Sequence, residues 1–127
     1  MDFRKANLVT GWATFLVATI VYLLTIEPTT SFWDCGEFIT TAYKLEVGHP
    51  PGAPLFMLLG RLFAAFVPTG MVAVSTNVLS ALSSSFTILF LFWTITHFGR
   101  KMALKSGEEM NQGKLIAIMA AGVVGGL

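Results

Sequence analysis

The sequence predicts an all-α, polytopic helical membrane protein with amphipathic helices in its first external loop. Hydrophobic residues make up 54% of the chain and charged residues only 12%, a balance outside the range of ordinary soluble domains. The apolar residues are gathered into long uncharged runs, and two of these runs are long enough to cross a hydrocarbon layer of about 30 Å. The basic residues cluster at one end of these runs, which predicts the orientation of the chain.

The first apolar run covers residues 8–26 and contains no Asp, Glu, Lys, Arg or His. As a helix it would rise about 28 Å, enough to span a membrane with little tilt. A signal peptide would have a shorter apolar stretch, about 7–15 residues, that ends at a cleavage site of small residues. This run ends in large residues before Glu27-Pro28, so we expect a retained transmembrane helix 1.

The second run, residues 71–97, is free of Asp, Glu, Lys and Arg and is longer than a perpendicular span needs. It is predicted to be transmembrane helix 2, either tilted or projecting from the membrane. Small polar side chains favour close packing of helices in a membrane, and we favour packing over a substrate-lining role for the polar residues in its first half. These residues are Ser75, Thr76, Asn77, Ser80, Ser83, Ser84 and Ser85.

A third apolar run begins at residue 115 and continues to residue 127. It is predicted to be the start of transmembrane helix 3. Gly122 and Gly126 have the spacing of a small-xxx-small motif, which predicts packing against a helix outside this sequence. We therefore expect residues 1–127 to form a single N-terminal membrane region of a longer polytopic protein.

The distribution of basic residues predicts a cytoplasmic N-terminus and a cytoplasmic loop at residues 98–114. Only Lys44 and Arg61 fall between the first two spans, and residues 27–70 are therefore predicted to form an external loop. Such a chain would contact membrane lipids in a cytoplasmic (inner) membrane or an endoplasmic reticulum membrane. The net charge of +1 argues against nucleic acid binding. The remaining basic residues are Arg4, Lys5, Arg100, Lys101, Lys105 and Lys114.

The external loop is predicted to contain two short helices, at about residues 35–47 and 54–67. The first has an apolar face and a stop signal at Gly48, and it would lie along the membrane surface. The second begins at Pro54 and would rise only about 20 Å, short of a full span. An unpaired Arg61 near the bilayer centre would also cost about 2.5–3.5 kcal/mol. We therefore expect the second helix to be interfacial or re-entrant.

Asp34 and Glu37 stand three residues apart at the start of the first loop helix. One interpretation is structural, with Asp34 as the N-cap and Glu37 as its capping-box partner. The other is functional, because two carboxylates near a membrane surface can supply a general base and a contact to a metal or a leaving group. The two roles are compatible. His49, before Pro50 and Pro51, has the spacing of a rigid turn with a solvated imidazole, and the sequence contains no metal-binding cluster.

These residues resemble the start of a GT-C glycosyltransferase and are similar to protein O-mannosyltransferases. The resemblance is closest to the family called domain of unknown function 2723, which includes transmembrane protein 260-like proteins. It is carried by three stretches of the external loop. They are Glu27-Pro28-Thr29, residues 31–38 with Asp34 and Glu37, and residues 43–55 with Gly48-His49-Pro50-Pro51.

The resemblance implies transfer of a sugar from a polyprenyl-phosphate donor to a Ser or Thr of an acceptor protein at the outer membrane face, with inversion. By this analogy Asp34 deprotonates the acceptor hydroxyl, Glu37 assists, and His49, Pro50 and Pro51 shape the donor site together with Arg61. Mannosyltransferases have adjacent Asp and Glu, whereas Cys35 and Gly36 intervene in this chain. The division of labour between the two carboxylates, and any need for a divalent metal, therefore stay open.

Two other classes of function fit the same sequence. The first is a non-catalytic integral membrane subunit that packs against a translocon or another membrane complex through its small residues. The second is a transporter, in which the break at residues 50–54 would mark a substrate site. Replacing Asp34 by Asn would abolish glycan transfer in a transferase and would be silent in a subunit.

Overall fold

The computed structural model describes residues 2–104 and 109–127, and every regular element in these residues is helical. The predicted all-α class is confirmed. A 3-10 turn, Thr69–Met71, precedes the fourth helix. The α-helices are α1 (Phe3–Leu24), α2 (Cys35–Lys44), α3 (Pro54–Ala64), α4 (Val72–Leu104) and α5 (Gln112–Gly126).

Two helical segments are long and apolar enough to cross a membrane. They are Phe3–Leu24 and Thr69–Leu104, and only 22% and 33% of their apolar windows are buried inside the chain. A core helix of a soluble protein would bury most of this surface against other parts of the chain. Their outward apolar side chains therefore have the arrangement of helices that face lipid.

Each long helix extends beyond the predicted bounds at one end, whereas α1 also ends at Leu24 instead of the predicted residue 26. α1 begins at Phe3 instead of residue 8, because Arg4 and Lys5 continue the helix past the apolar run. α4 continues to Leu104 instead of residue 97, and Gly99 there lies against Ile118 of α5. Hydropathy reports the membrane-compatible part of a helix and not its ends. Residues 105–108 of the predicted 98–114 loop lie outside the described residues.

α5 begins at Gln112, three residues before the predicted start at residue 115. Asn111 has an extended backbone, and its side-chain oxygen accepts a hydrogen bond of 2.8 Å from the Lys114 backbone N–H. This is an ordinary N-cap contact, which satisfies one of the free donors in the first helical turn.

The chain divides into two compact units, and the first contains α1 up to Tyr22, α4 from Ser84, and α5. Its core is formed by Ala6, Phe92, Leu115, Ile118 and Met119. A Cβ atom at Gly122 would lie 2.7 Å from Thr96 Cγ2, and a Cβ atom at Gly126 would lie 3.5 Å from the Ile88 carbonyl oxygen. The prediction that these glycines pack against a helix outside this sequence is therefore wrong: they allow α5 to approach α4 of the same chain.

The second unit, residues 23–83, is built on the pairing of α2 with α3. Ala42 of α2 is fully buried, and a Cβ atom at Gly60 of α3 would lie only 2.8 Å from the Ala42 Cβ. Thr41 Oγ1 lies 3.2 Å from Met57 Sδ at the same contact. The two short helices thus touch through small side chains.

Both loop helices end earlier than predicted, for different reasons. α2 ends at Lys44 because Leu45 adopts a left-handed conformation (φ 55°, ψ 44°), so the predicted end at residue 47 with Gly48 as the stop is wrong. The N–H groups of Leu45 and Glu46 donate to the carbonyls of Ala42 and Thr41, a Schellman arrangement normally made with glycine.

α3 ends at Ala64 instead of residue 67. Just after the helix, the backbone N–H groups of Phe66 and Val67 donate to the carbonyls three residues earlier in the chain. The chain therefore forms a tighter turn there than an α-helix has. Pro68 follows and disfavours a helical conformation at Val67. The 11 residues of α3 rise about 16 Å, well short of a membrane span.

We expect replacement of Gly60 by Val to destabilise the α2–α3 pair. The added side chain would be forced against Ala42, and such overpacking typically costs about 1–3 kcal/mol. Thermal unfolding of the purified full-length protein measures the effect. Gly70→Val is the matched control, because a Cβ atom at Gly70 has no neighbour within 4 Å. Equal melting temperatures for the two variants would contradict the close contact.

Candidate functional site

Asp34 lies directly before α2, but its side chain does not cap the helix. The backbone of Asp34 has φ −77° and ψ 0°, whereas an N-cap residue has an extended backbone that points its side chain at the free N–H groups. The capping-box interpretation is therefore wrong. Within the described residues no group donates a hydrogen bond to the Asp34 carboxylate, which is exposed.

The preceding residue, Trp33, has a positive φ of 66°. A left-handed backbone is unusual for a bulky residue, and such strain of about 1–3 kcal/mol concentrates at functional positions. The Trp33 side chain is 96% exposed. The strained residue and the free carboxylate are thus neighbours at the entrance to α2.

Glu37 is held by His49, twelve residues further along the chain. The His49 backbone N–H donates to Glu37 Oε1 at 2.7 Å, and the imidazole Nδ1 lies 3.0 Å from both Oε1 and Oε2. The His49 ring also meets the Phe38 ring edge-on, with centroids 6.2 Å apart. This carboxylate therefore binds the turn that follows α2 instead of the start of its own helix.

The contact shifts the titration of both partners. The His49 backbone N–H and then its imidazole stabilise the charged carboxylate and hold the pKa of Glu37 below its ordinary value. The hydrogen bond and the charge of Glu37 raise the pKa of His49 above its ordinary value. Both side chains remain partly open to solvent, at 51% for His49 and 38% for Glu37, which screens their attraction. Each partner thus favours the charged form of the other.

Gly48 makes this contact possible. A Cβ atom at position 48 would lie 2.9 Å from Glu37 Oε1, a distance that real Cβ atoms do not tolerate. The early end of α2 at Lys44 turns the chain back so that Gly48 and His49 reach Glu37. Gly48 was predicted as a helix stop, but its role is to let the backbone approach a carboxylate.

A cavity of about 520 Å³ lies beside the start of α2, a size within the usual range of small-molecule sites. Most of its wall is apolar and aromatic, and Asp34 supplies its carboxylate. The polar side of the wall comes from the first turns of α4. The lining residues are Phe32, Trp33, Asp34, Cys35, Phe38, Ile39, Ala53, Phe56, Thr76, Asn77 and Ser80.

Asn77 joins residues 27–29 to α4. Its side-chain amide donates to the carbonyls of Glu27 and Thr29, at 2.8 Å and 3.0 Å. Sequence reasoning assigned Asn77, Thr76 and Ser80 to helix packing, and the structure places them in the cavity wall. The signal available in the sequence was the Asn77 amide inside a predicted membrane span, because an amide in a membrane is costly without a hydrogen-bond partner.

The other predicted donor-site residues take different positions. Arg61 donates to the Tyr43 carbonyl at 2.8 Å, and its guanidinium lies 5.4 Å from the Tyr43 ring centroid. It therefore joins α3 to the end of α2, where a cation also complements the helix dipole. Pro50 and Pro51 shape the turn after His49, and only Ala53 of that turn lines the cavity.

The predicted catalytic carboxylates thus have different surroundings. Glu37 is fixed by His49, whereas the Asp34 carboxylate accepts no hydrogen bond within the described residues and borders a cavity. Within residues 2–104 and 109–127, no three His, Cys, Asp or Glu side chains are grouped so that they could hold a metal ion. A free carboxylate beside a partly apolar cavity can accept a proton from a bound hydroxyl.

We expect Glu37→Gln to lower the pKa of His49 toward its ordinary value of 6.5. In the wild-type protein, the contact with Glu37 makes protonated His49 stabilise the folded state. This stabilisation is complete below the ordinary pKa of His49 and is lost as the pH rises through its raised pKa. The stabilisation from Glu37 is present above its ordinary value of 4.5 and is lost as the pH falls through the lowered pKa. Diethyl pyrocarbonate reacts with neutral imidazole, so the pH at which His49 becomes reactive, read by mass spectrometry, checks the shift.

His97 is the internal reference in the same digest, and its reactivity should not change between the two proteins. An unchanged His49 profile in the Glu37→Gln protein would contradict the ion pair.

Gly48→Ala should give a His49 profile like that of Glu37→Gln, because the added methyl group displaces the Glu37 carboxylate. Gly36→Ala is the matched control, since the nearest atom to a Cβ there is 3.9 Å away. A wild-type profile for Gly48→Ala would show that the turn has room for the methyl group.

Sequence comparison identifies the family of this chain. Residues 34–127, which include both carboxylates, match the profile described as protein O-mannosyl-transferase TMEM260 N-terminal domain. The chain is 35% identical over 83 residues to the protein O-mannosyl-transferase tmem260 of Dictyostelium discoideum, which covers 64% of this chain and 10% of that protein. It is 40% identical over 93 residues to the protein O-mannosyl-transferase TMEM260 of Mus musculus, which covers 73% of this chain and 13% of that protein.

The chain therefore spans about a tenth of the length of these curated relatives. No solved structure is significantly similar to it. The resemblance drawn from the external loop is confirmed, and the chain belongs to the protein O-mannosyl-transferase TMEM260 N-terminal domain family.

Proposed function

We propose that this chain carries the acceptor-activating part of a glycosyltransferase that uses a polyprenyl-phosphate-linked sugar and acts at the outer membrane face. The acceptor is a Ser or Thr hydroxyl of a protein, as in protein O-mannosyltransferases. One observation carries the proposal: Asp34, which has no hydrogen-bond or ion-pair partner for its carboxylate among the described residues, lines a cavity of about 520 Å³ with aromatic walls.

In the proposed reaction Asp34 accepts the proton of the acceptor hydroxyl as the hydroxyl oxygen bonds to the anomeric carbon of the sugar. The bond between this carbon and the donor phosphate oxygen breaks, and the lipid phosphate leaves with the bonding electrons. Attack from the side opposite the leaving group inverts the anomeric configuration. A positioned general base typically contributes about 10²–10⁴-fold to the rate of such a step.

Glu37 and His49 are assigned a positioning role. Their contact closes the turn at residues 48–53 against α2, and Ala53 and Phe56 at the far side of that turn face the cavity. Phe38 links the two sides, because its ring is 6.2 Å from the His49 ring and 5.6 Å from the Phe56 ring. Because Glu37 is occupied by His49, Asp34 is the better candidate for proton transfer.

The walls of the cavity suit an amphipathic donor. Phe32, Trp33 and Phe56 offer aromatic faces for the apolar side of a sugar ring or for the first prenyl carbons. Asn77 and Ser80 offer polar groups on the α4 side for sugar hydroxyls. Cavities of this mixed character, mostly apolar with a few polar groups, are typical of small-molecule sites.

The names of the relatives support the same class of reaction, since both are called protein O-mannosyl-transferase. The basic residues near the start of α1 and the end of α4 support a cytoplasmic N-terminus, which would place residues 27–70 on the outer face of an inner or endoplasmic reticulum membrane. Mannose is the proposed sugar on the strength of the relatives' names alone.

The test is Asp34→Asn in the full-length protein, assayed by transfer of labelled mannose from a polyprenyl-phosphate donor to an acceptor peptide. We expect transfer to fall by at least about 100-fold, because Asn cannot accept the proton. Glu46→Gln removes an exposed carboxylate from the same loop and is the matched control, with near wild-type transfer expected.

Equal expression and membrane insertion of the two variants would separate catalysis from folding. Substantial transfer by the Asp34→Asn protein would remove Asp34 from the mechanism. No transfer by the wild-type protein with any lipid-linked sugar would favour the alternative of a non-catalytic membrane subunit.

A further inference from the structure

The first unit contains a second cleft, of about 320 Å³, at the start of α1 and near the end of α4. These are ends of the two helices that are long enough to cross a membrane, so in a spanning chain the cleft lies at a water–lipid boundary. Its wall combines aromatic and cationic side chains. The lining residues are Phe3, Arg4, Asn7, Trp93, His97 and Arg100.

The positive charge of this cleft has no partner within the chain as described. Neither Arg4 nor Arg100 forms an ion pair with a described carboxylate, and no described Asp or Glu lines the cleft. The Arg100 guanidinium lies over the Phe3 ring, 4.8 Å from its centroid, which holds it against the cleft wall. Two arginines from helices far apart in sequence thus converge on one opening, and none of the described carboxylates pairs with either of them.

Two polar atoms of the same wall also lack partners. The Asn7 side-chain oxygen and the Trp93 indole nitrogen are buried, and neither makes a hydrogen bond within the described residues. A buried polar atom without a partner is costly, and native structures usually supply one from the chain, from water or from a ligand. Because both atoms are buried, the groups that the cleft offers to an incoming molecule are its two guanidinium groups, which carry both positive charge and hydrogen-bond donors.

We propose that this cleft binds the phosphate headgroup of an anionic phospholipid. Arg4 and Arg100 hold the phosphate, since guanidinium groups match phosphate oxygens in geometry and charge. Phe3 and Trp93 contact the glycerol and the first acyl carbons. A lipid is favoured over free phosphate because Phe3 and Trp93 line the same wall and both helices expose apolar faces. The proposal is independent of the proposed transferase function.

The simpler explanation is that these arginines only set the orientation of the chain in the membrane. That explanation treats all basic residues at this end alike, because the orientation depends on how many there are. The lipid site depends on which ones line the cleft. Lys5 and Lys101 are exposed neighbours of Arg4 and Arg100 and do not line it, so the chain supplies its own matched control.

The experiment uses purified full-length protein in a neutral detergent and titrates it with dioctanoyl phosphatidic acid, with binding followed by native mass spectrometry. We expect Arg4→Gln/Arg100→Gln to bind roughly 10- to 25-fold more weakly, about fivefold for each arginine. The double variant Lys5→Gln/Lys101→Gln should lose less than about twofold. Arg4→Lys/Arg100→Lys should retain part of the affinity because it keeps the charge.

Dioctanoyl phosphatidylcholine, whose phosphate is neutralised by choline, should bind poorly to the wild-type protein. An equal loss in the arginine and lysine double variants would overturn the site in favour of diffuse charge. Inorganic phosphate that competes as well as the lipid would overturn the lipid assignment.

Photocrosslinking of wild-type protein with a diazirine-labelled phosphatidic acid gives a readout that needs no variant. Crosslinks at residues 3–7 and 93–100 support the site, and crosslinks confined to other segments overturn it.

Discussion

The local arrangement of the candidate site depends on one contact, the capture of Glu37 by the backbone and imidazole of His49. It joins the first turn of α2 to a loop residue twelve positions further along the chain, and two local features permit it. Leu45 ends the helix with a left-handed residue, and Gly48 leaves room for a carboxylate oxygen where any side chain would collide. Asp34, three residues before Glu37, is left with a carboxylate that accepts no hydrogen bond from the residues described in the structure.

The packing of α2 against α3 supports the contact between Glu37 and His49. Arg61 donates to the Tyr43 carbonyl near the end of α2, and Gly60 fits against Ala42, so the two helices are joined at both contacts. Arg61, which sequence reasoning assigned to the donor site, thus joins two helices in this structure. Its charge lies at the helix end where a cation is favourable.

The sequence was sufficient for the class of the fold and for the position of its long helices, because uninterrupted apolar runs have few other solutions. It was also sufficient for the family, through residues 27–55 of the external loop. Helix ends were less predictable, since Arg4, Lys5 and residues 98–104 are polar or mixed but still helical. Asn111 was a readable N-cap signal for α5, and hydropathy alone overlooked it.

Local sequence patterns did not predict the hydrogen-bond partners of the two carboxylates. The spacing of Asp34 and Glu37 matches a capping box, and only the path of the chain after Leu45 shows that Glu37 has a stronger partner in His49. The predicted packing partner of Gly122 and Gly126 was wrong for the same reason. Their spacing predicts close helix packing correctly, but it does not state which helix is the partner.

The two hydrogen bonds from Asn77 to the carbonyls of Glu27 and Thr29 have a consequence for biosynthesis. A ribosome makes the residues around Asp34 long before it makes Asn77, so a nascent chain that ends before α4 lacks the side chain that ties down the loop. The geometry of residues 27–29, next to the segment that contains Asp34, is therefore completed only when α4 has been synthesised.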